Sequence, residues 1–222
     1  MRFAVVRFPG SCDDRDALLA CSRFGEAHFV DHRESDLAGF DCVVIPGGFS
    51  YGDYLRAGAL AGLSPVMGAV RSFAAAGGPV LGICNGFQVL CESGLLPGAL
   101  LPNSGLRFVC REVEVEVASD ATPFTRCTEP GRRLRIPVKH QSGRYWAPPE
   151  VLDTLERTGR VVFRYAPGHN PNGSERNIAG VASAGGNVVG LMPHPEHAVD
   201  ALLGSADGAV LFECVARAAV AA

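Results

Sequence analysis

Pro79-Val80-Leu81-Gly82-Ile83-Cys84-Asn85-Gly86-Phe87-Gln88-Val89-Leu90, residues 79–90, is the stretch whose reading decides the fold. Its first six residues are an apolar run of strand composition, and the residues from Asn85 onward have the composition of a helix. Gly82-Ile83-Cys84-Asn85-Gly86 sits at the junction with the spacing G-x-nucleophile-x-G. In that pattern a sharp turn carries the central side chain out of the sheet, and the flanking glycines remove Cβ atoms that would clash there. A buried strand feeding directly into a helix is the unit of an α/β fold.

Working outward, the upstream sequence repeats the same alternation. Residues 2–8, 27–31 and 41–48 read as strands, and 13–24 and 65–76 as helices, the first with acidic residues in its opening turn. Gly77-Gly78-Pro79 stops the second helix, and Asn85-Gly86-Phe87-Gln88-Val89-Leu90-Cys91-Glu92-Ser93-Gly94-Leu95 follows the central strand as a third. Such alternation predicts a mostly parallel sheet with helices on both faces. Downstream the character changes. Residues 108–117 alternate apolar and charged side chains for most of their length, the period of a half-exposed strand. Further strands are expected at 133–139, 161–166, 178–183 and 187–192, with helices at 148–158 and 207–221. With no linker, repeat or low-complexity tract, residues 1–222 read as a single α/β domain with an antiparallel or mixed extension.

Composition narrows the class. With 222 residues, 47% hydrophobic and 19% charged, the chain can build one sizeable core. A net charge of −3 argues against a general nucleic-acid or acidic-membrane binder. Lys139 is the only lysine among 20 basic residues, and composition alone attaches no function to it. No apolar leader and no run approaching 18 apolar residues is present, so the expectation is a cytoplasmic protein. The eight cysteines show neither C-x-x-C nor zinc spacing, which predicts no metal and, for most of them, buried reduced thiols. Asn172-Gly173-Ser174 reads as a turn rather than a glycosylation site.

Cys84 at a helix N-terminus is in a place where free amide N–H groups and the helix dipole favour the thiolate, the reactive form. The same turn aims the Asn85 N–H at an oxyanion. A cysteine nucleophile needs an imidazole held by a third group. Of the six histidines, His194 in Met192-Pro193-His194-Pro195-Glu196 is the best placed, just after an apolar run. Pro195 pushes His194 toward extended geometry, in which His194 and Glu196 share a face. Glu196 would then set the tautomer and support the imidazolium. His140 and His169 lack such a partner, and His28 and His32 read as surface or strand-edge residues.

Gly-Ile-Cys-Asn-Gly-Phe-Gln at 82–88, followed by Pro-His-Pro-Glu at 193–196, resembles the class I, triad-type glutamine amidotransferases, in the chain order Cys, His, Glu. Pro46-Gly47-Gly48-Phe49-Ser50-Tyr51-Gly52-Asp53-Tyr54-Leu55-Arg56, Gly94-Leu95-Leu96-Pro97-Gly98 and Asn170-Pro171-Asn172-Gly173-Ser174 are similar to the glutaminase subunits of phosphoribosylformylglycinamidine synthases. The resemblance spans nearly the whole chain. It implies a flavodoxin-like fold, L-glutamine as substrate, and ammonia delivered to a large synthase subunit in de novo purine synthesis, with a small bridging subunit. It implies Cys84 as nucleophile, His194 as acid and base, and Glu196 as its orienter. It also implies the Gly48 N–H as second oxyanion donor, Gly47 for close approach, and Gln88 as a contact to glutamine. The chain carries no P-loop pattern, so no cofactor is expected in it, and ATP and Mg2+ fall to the partner.

Three places depart from the family pattern. Ser11-Cys12-Asp13-Asp14-Arg15-Asp16 carries Cys and Asp where Asn and Cys are usual. His140-Gln141-Ser142-Gly143-Arg144-Tyr145 stands for H-G-E-G-R-Y, and His197 replaces an Arg after the triad Glu. None is expected to touch the triad, and the last two are expected near a partner-facing mouth. The competing readings are a glutaminase serving another synthase, a thiol hydrolase of the same fold, and a non-catalytic interaction module. The hydrolases often place His directly after the nucleophile, where this chain has Asn85.

Overall fold

The computed structural model describes residues 1–220. Nine strands form one sheet: β1 (Arg2–Arg7), β2 (Glu26–Asp31), β3 (Cys42–Ile45), β4 (Val80–Ile83), β6 (Val109–Val117), β7 (Arg133–His140), β9 (Val161–Tyr165), β10 (Ile178–Ala182) and β11 (Val188–Leu191). Their spatial order is β2-β1-β3-β4-β11-β10-β9-β6-β7. From β2 to β11 every pairing is parallel, and from β11 to β7 every pairing is antiparallel. The expected antiparallel extension is therefore as wide as the parallel part.

Burial follows the pairing. β3, β4 and β11 are buried along their whole length, as parallel strands covered on both faces must be. On β6, Val113, Val115 and Val117 enter the core while Glu112 and Glu114 face out against Arg135 and Arg133 of β7. Helices α1 (Asp14–Ser22), α2 (Pro65–Ala75), α3 (Asn85–Glu92), α4 (Pro149–Arg157) and α5 (Ala209–Val220) accompany the sheet. α3 lies close on the sheet because glycines meet it: a Cβ on Gly86 would come within 1.9 Å of the Ile45 carbonyl oxygen, and one on Gly190 within 2.2 Å of the Phe87 ring.

Three features were not legible in the sequence. β5 (Ala99–Leu101) and β8 (Arg144–Trp146) pair as a separate two-stranded sheet, each too short to show a period. The run expected as a strand to residue 48 stops at Ile45, because Pro46 has no N–H to continue the ladder. Most of the cysteines were expected to be reduced thiols, and six are free, but Cys127 and Cys214 form a disulfide joining the loop after β6 to α5.

The sheet is strongly coiled. β7 lies five strands from β4, about 24 Å away if the sheet were flat. Yet the Lys139 carbonyl of β7 is 3.7 Å from the Cys84 sulfur at the end of β4. The β6–β7 ribbon thus folds back over the carboxyl ends of the parallel strands and roofs the region where α/β sheets bind ligands.

Candidate active site

Cys84 stands at the N-cap position of α3 with φ 50° and ψ −103°, a left-handed backbone conformation that costs a non-glycine residue about 1–3 kcal/mol. That strain is what the elbow imposes, and the flanking glycines make room for it: a Cβ on Gly82 would sit 2.7 Å from the Gly86 carbonyl oxygen. Parallel pairing of β4 with β11 sets Ile83 beside Leu191, so the two chains leave the sheet together and carry Cys84 and His194 into one space. The Pro137 carbonyl of β7 accepts the His194 N–H at 2.8 Å and anchors that residue from above.

His194 and Glu196 meet as expected, by a different route. Pro195–His197 is a short 3-10 turn rather than an extended segment, and it closes His194 Nδ1 onto Glu196 Oε1 at 2.6 Å. Both side chains are fully buried. Burial by itself pushes the imidazole pKa down; the Glu196 carboxylate and the Cys84 thiolate outweigh it and hold the value well above that of free histidine. Nε2 of His194 has no hydrogen-bond partner. The Cys84 sulfur is 3.7 Å from the Lys139 carbonyl oxygen and lies close enough to His194 to help raise the imidazole pKa.

A cavity of about 350 Å³ opens on this sulfur. Gly48, Asp53, Gln88, Lys139, Gln141 and Ser142 are among the residues that line it. A larger hollow of about 640 Å³ lies by Arg71, Arg126 and Asn187 at the opposite ends of the strands, and its wall holds no cysteine, histidine or carboxylate. The Gly48 N–H makes no backbone hydrogen bond among the described residues. Gly48 has φ +143°, and a Cβ there would reach 2.5 Å from the Cys12 nitrogen. The Asn85 N–H is in the first helical turn, where no intrahelical acceptor exists. Both positions expected as oxyanion donors are therefore donors without a backbone partner.

Gly47 and Gln88 have places that their expected roles did not describe. A Cβ on Gly47 would lie 2.5 Å from Asp13 Oδ2 and 2.7 Å from His194 Cε1, so the glycine makes room for those two side chains and is not in the cavity wall. Gln88 is in the wall, but its amide is already engaged: Nε2 donates to the Ser142 carbonyl at 2.6 Å, and Oε1 accepts from Asn85 Nδ2 at 2.8 Å. Asn85 Oδ1 in turn accepts the Ser50 N–H at 3.1 Å, tying the 49–53 loop to α3.

Two departures expected to stand clear of the triad touch it. Asp13 Oδ2 is 3.7 Å from His194 Nδ1, and His197 Nε2 is 3.6 Å from Glu196 Oε1. His197 Nε2 is also 3.3 Å from Asp13 Oδ1, which accepts from the Lys139 ammonium as well. Nothing local in the sequence announced this: residues 13, 139 and 197 are far apart in the chain. Asp13, His194, Glu196 and His197 bring one ligand-type atom each within 4.8 Å of one another, and the Lys139 ammonium on Asp13 opposes a cation there. Asn172, expected only as a turn residue, is fully buried and donates to the Gly143 carbonyl at 2.8 Å, with His140 Nε2 at 3.0 Å. It braces the 140–143 segment that forms one cavity wall.

The family profile of the CobB/CobQ-like glutamine amidotransferase domain matches residues 1–207. The chain is 58% identical over 218 residues to the phosphoribosylformylglycinamidine synthase subunit PurQ of Thermus thermophilus, covering 96% of each chain. It superposes on a chain of the PurLQS structure from Thermotoga maritima with a TM-score of 0.90 and 43% identity, covering 98% of each. A Thermotoga maritima glutamine amidotransferase with 21% identity, TM-score 0.58, shares the fold over 98% of this chain. The chain belongs to the CobB/CobQ-like glutamine amidotransferase family and, within it, to the PurQ subunits of phosphoribosylformylglycinamidine synthase.

Proposed function

We propose that the chain performs its glutaminase reaction with Cys84 as nucleophile, His194 as acid and base, and Glu196 as the orienter of His194. The observation that carries this is the buried His194–Glu196 bond of 2.6 Å beside a cysteine held at positive φ on the head of a helix. Turned from the Lys139 carbonyl toward Nε2, the thiol gives its proton to the imidazole, and the thiolate attacks the side-chain amide carbon of L-glutamine. Gly48 and Asn85 N–H groups receive the oxyanion; one such donor is worth about 3–4 kcal/mol in the transition state. His194 protonates the departing ammonia, leaving a γ-glutamyl thioester. Water deprotonated by the same imidazole then releases glutamate and restores the thiol. Gln88 and Ser142 would meet the amino-acid end of the substrate in the cavity.

As a PurQ subunit the chain is the glutaminase of formylglycinamidine ribonucleotide synthesis in the purine pathway, working with the large synthase subunit and the small PurS subunit. We assign the ATP and Mg2+ of the synthesis step to the large subunit and no cofactor to this chain. No helix among the described residues is long and apolar enough to cross a membrane, and a cytoplasmic site of action accords with that reading. In the reconstituted complex Cys84→Ala is expected to abolish glutamine-dependent synthesis and spare synthesis from added ammonium salt. Glutamine-dependent turnover surviving in that variant would reject Cys84 as the nucleophile.

A further inference from the structure

Asp13 stands at the N-cap position of α1, where an aspartate ordinarily accepts from the first free N–H groups of the helix. Here it makes no capping bond. Its carboxylate is turned instead into the layer behind the base and is only 4% exposed. Oδ2 faces His194 Nδ1 at 3.7 Å, while Oδ1 is shared by the Lys139 ammonium and His197 Nε2. Burial pushes this carboxyl up; His197, His194 and Lys139 more than reverse it and hold Asp13 far below the usual carboxylate range. Burial likewise works against the Lys139 charge, and Asp13 restores it. The pair is therefore ionised throughout the neutral range.

Lys139 acts at two points. Its ammonium holds Asp13, and its carbonyl is the resting partner of the Cys84 thiol. Two residues earlier on the same strand, the Pro137 carbonyl takes the His194 N–H. One ion pair thus joins the head of α1 to the strand that touches both reacting groups.

We propose that Asp13, paired with Lys139, is a positioning residue for the glutaminase reaction: it stands beside Glu196 on the Nδ1 side of His194, fixes the strand on which Cys84 rests, and balances the charge that the nucleophile and base share. The inference rests on Cys84 and His194 being the reacting pair. The charged and titratable groups facing His194 are Glu196 and His197 from its own turn, Asp13 from the head of α1, Cys84 from the elbow, and Lys139 and His140 from β7. Cys21 of α1 faces Glu196 behind them.

The sign of each perturbation follows. Without the Asp13 charge, Lys139 is left uncompensated beside the pair; thiolate is favoured and imidazolium disfavoured, so both limbs of the activity profile move to lower pH. Without the Lys139 charge, Asp13 is left uncompensated and both limbs move up. Removing both restores the balance. A packing role alone would slow the enzyme without moving the limbs in opposite directions.

The test is the pH profile of glutamine-dependent kcat/KM in the complex with the synthase subunits, for Asp13→Asn, Lys139→Met and the double variant. Alongside it, iodoacetamide alkylation of Cys84 in the free chain is followed against pH on the Cys84 peptide by mass spectrometry. Asp13→Asn is expected to lower both limbs by about one pH unit and Lys139→Met to raise them similarly, with the double variant returning toward wild type. Unmoved limbs, or both single variants moving the same way, overturn the proposal. Should Asp13→Asn fail to fold, the direction of the Lys139→Met shift in the alkylation profile decides. Cys84→Ala is assayed in parallel: activity surviving there removes the reading of the site itself, whereas a dead Cys84→Ala with unmoved limbs removes only the role of Asp13.

Discussion

At the scale of single residues, the site is a set of buried charges that need one another. Glu196 and Cys84 raise the pKa of His194 against its burial, and its neighbour His140 is held neutral. Burial, and then the His194 charge, push His140 from 6.5 down to about 3. Geometry agrees, because His140 Nε2 lies against the Asn172 amide group and Nδ1 has no acceptor. A base whose folded pKa is depressed takes up fewer protons than the unfolded chain between the two values, so stability falls as pH drops from 6.5 toward 3. The full shift corresponds to on the order of 4–5 kcal/mol at most. His140→Gln is expected to flatten this acid limb in urea titrations between pH 7 and 4; an unchanged slope would place the acid sensitivity elsewhere. The positive-φ turn at Cys84 and the contact of His194 with Glu196 were readable because each lies in a local pattern, an elbow or a proline-framed turn. Asp13, Lys139, His197 and Asn172 were not, because their partners are supplied by other segments.

At the scale of elements, the position of α3 determines where the sulfur points. The helix starts at Asn85, directly after β4, and packs on β3, β4 and β11 through glycine surfaces. Gly190 of β11 is the sharpest case, since a Cβ there would meet the Phe87 ring at 2.2 Å and Leu96 Cδ1 at 2.7 Å. Gly190→Ala is expected to lower stability by about 1–3 kcal/mol, read as a shift of the urea midpoint at constant slope. It should also reduce kcat more than it raises KM, because the displaced helix carries Cys84 and Asn85. A variant with wild-type midpoint and kcat would show that α3 accommodates the methyl freely. The strand-to-helix step was legible from composition. The glycine contacts were not, because a glycine signals only that a Cβ is absent and not what fills the space.

At the scale of the whole molecule, the site is assembled beneath a strained and partly apolar rim. The loop at the cavity mouth carries backbone strain: Tyr51, Asp53 and Leu55 all have positive φ. On that loop Phe49, Tyr54 and Leu55 are 46%, 74% and 80% exposed, an apolar rim suited to a partner surface. Strain stored beside a site is released when a partner selects another arrangement. Glutaminase turnover of the free chain is therefore expected to be slow and to rise at least about tenfold on adding the synthase and PurS subunits with their nucleotide substrate. Leu55→Asp should weaken that activation while leaving the basal rate of the free chain in place. Equal rates with and without the partners would show that the free site is already in its working geometry.

By itself the sequence determined the parts that depend on neighbours in the chain. The strand and helix periods, the elbow at Cys84 and the proline-stiffened turn at His194 are local, set by steric limits on φ and ψ and by which side chains avoid water. Only the tertiary structure decided what depends on segments meeting. β7 coils back five strands to roof the elbow, and this brings the single lysine to a carboxylate 126 residues away, behind the base. No period or motif encodes such a meeting, because sheet coiling and the balance of buried charges are properties of the assembled core. The elbow at Cys84 and the His194–Glu196 pair could be read from their own surroundings; the charge layer behind them exists only once the sheet has closed over it.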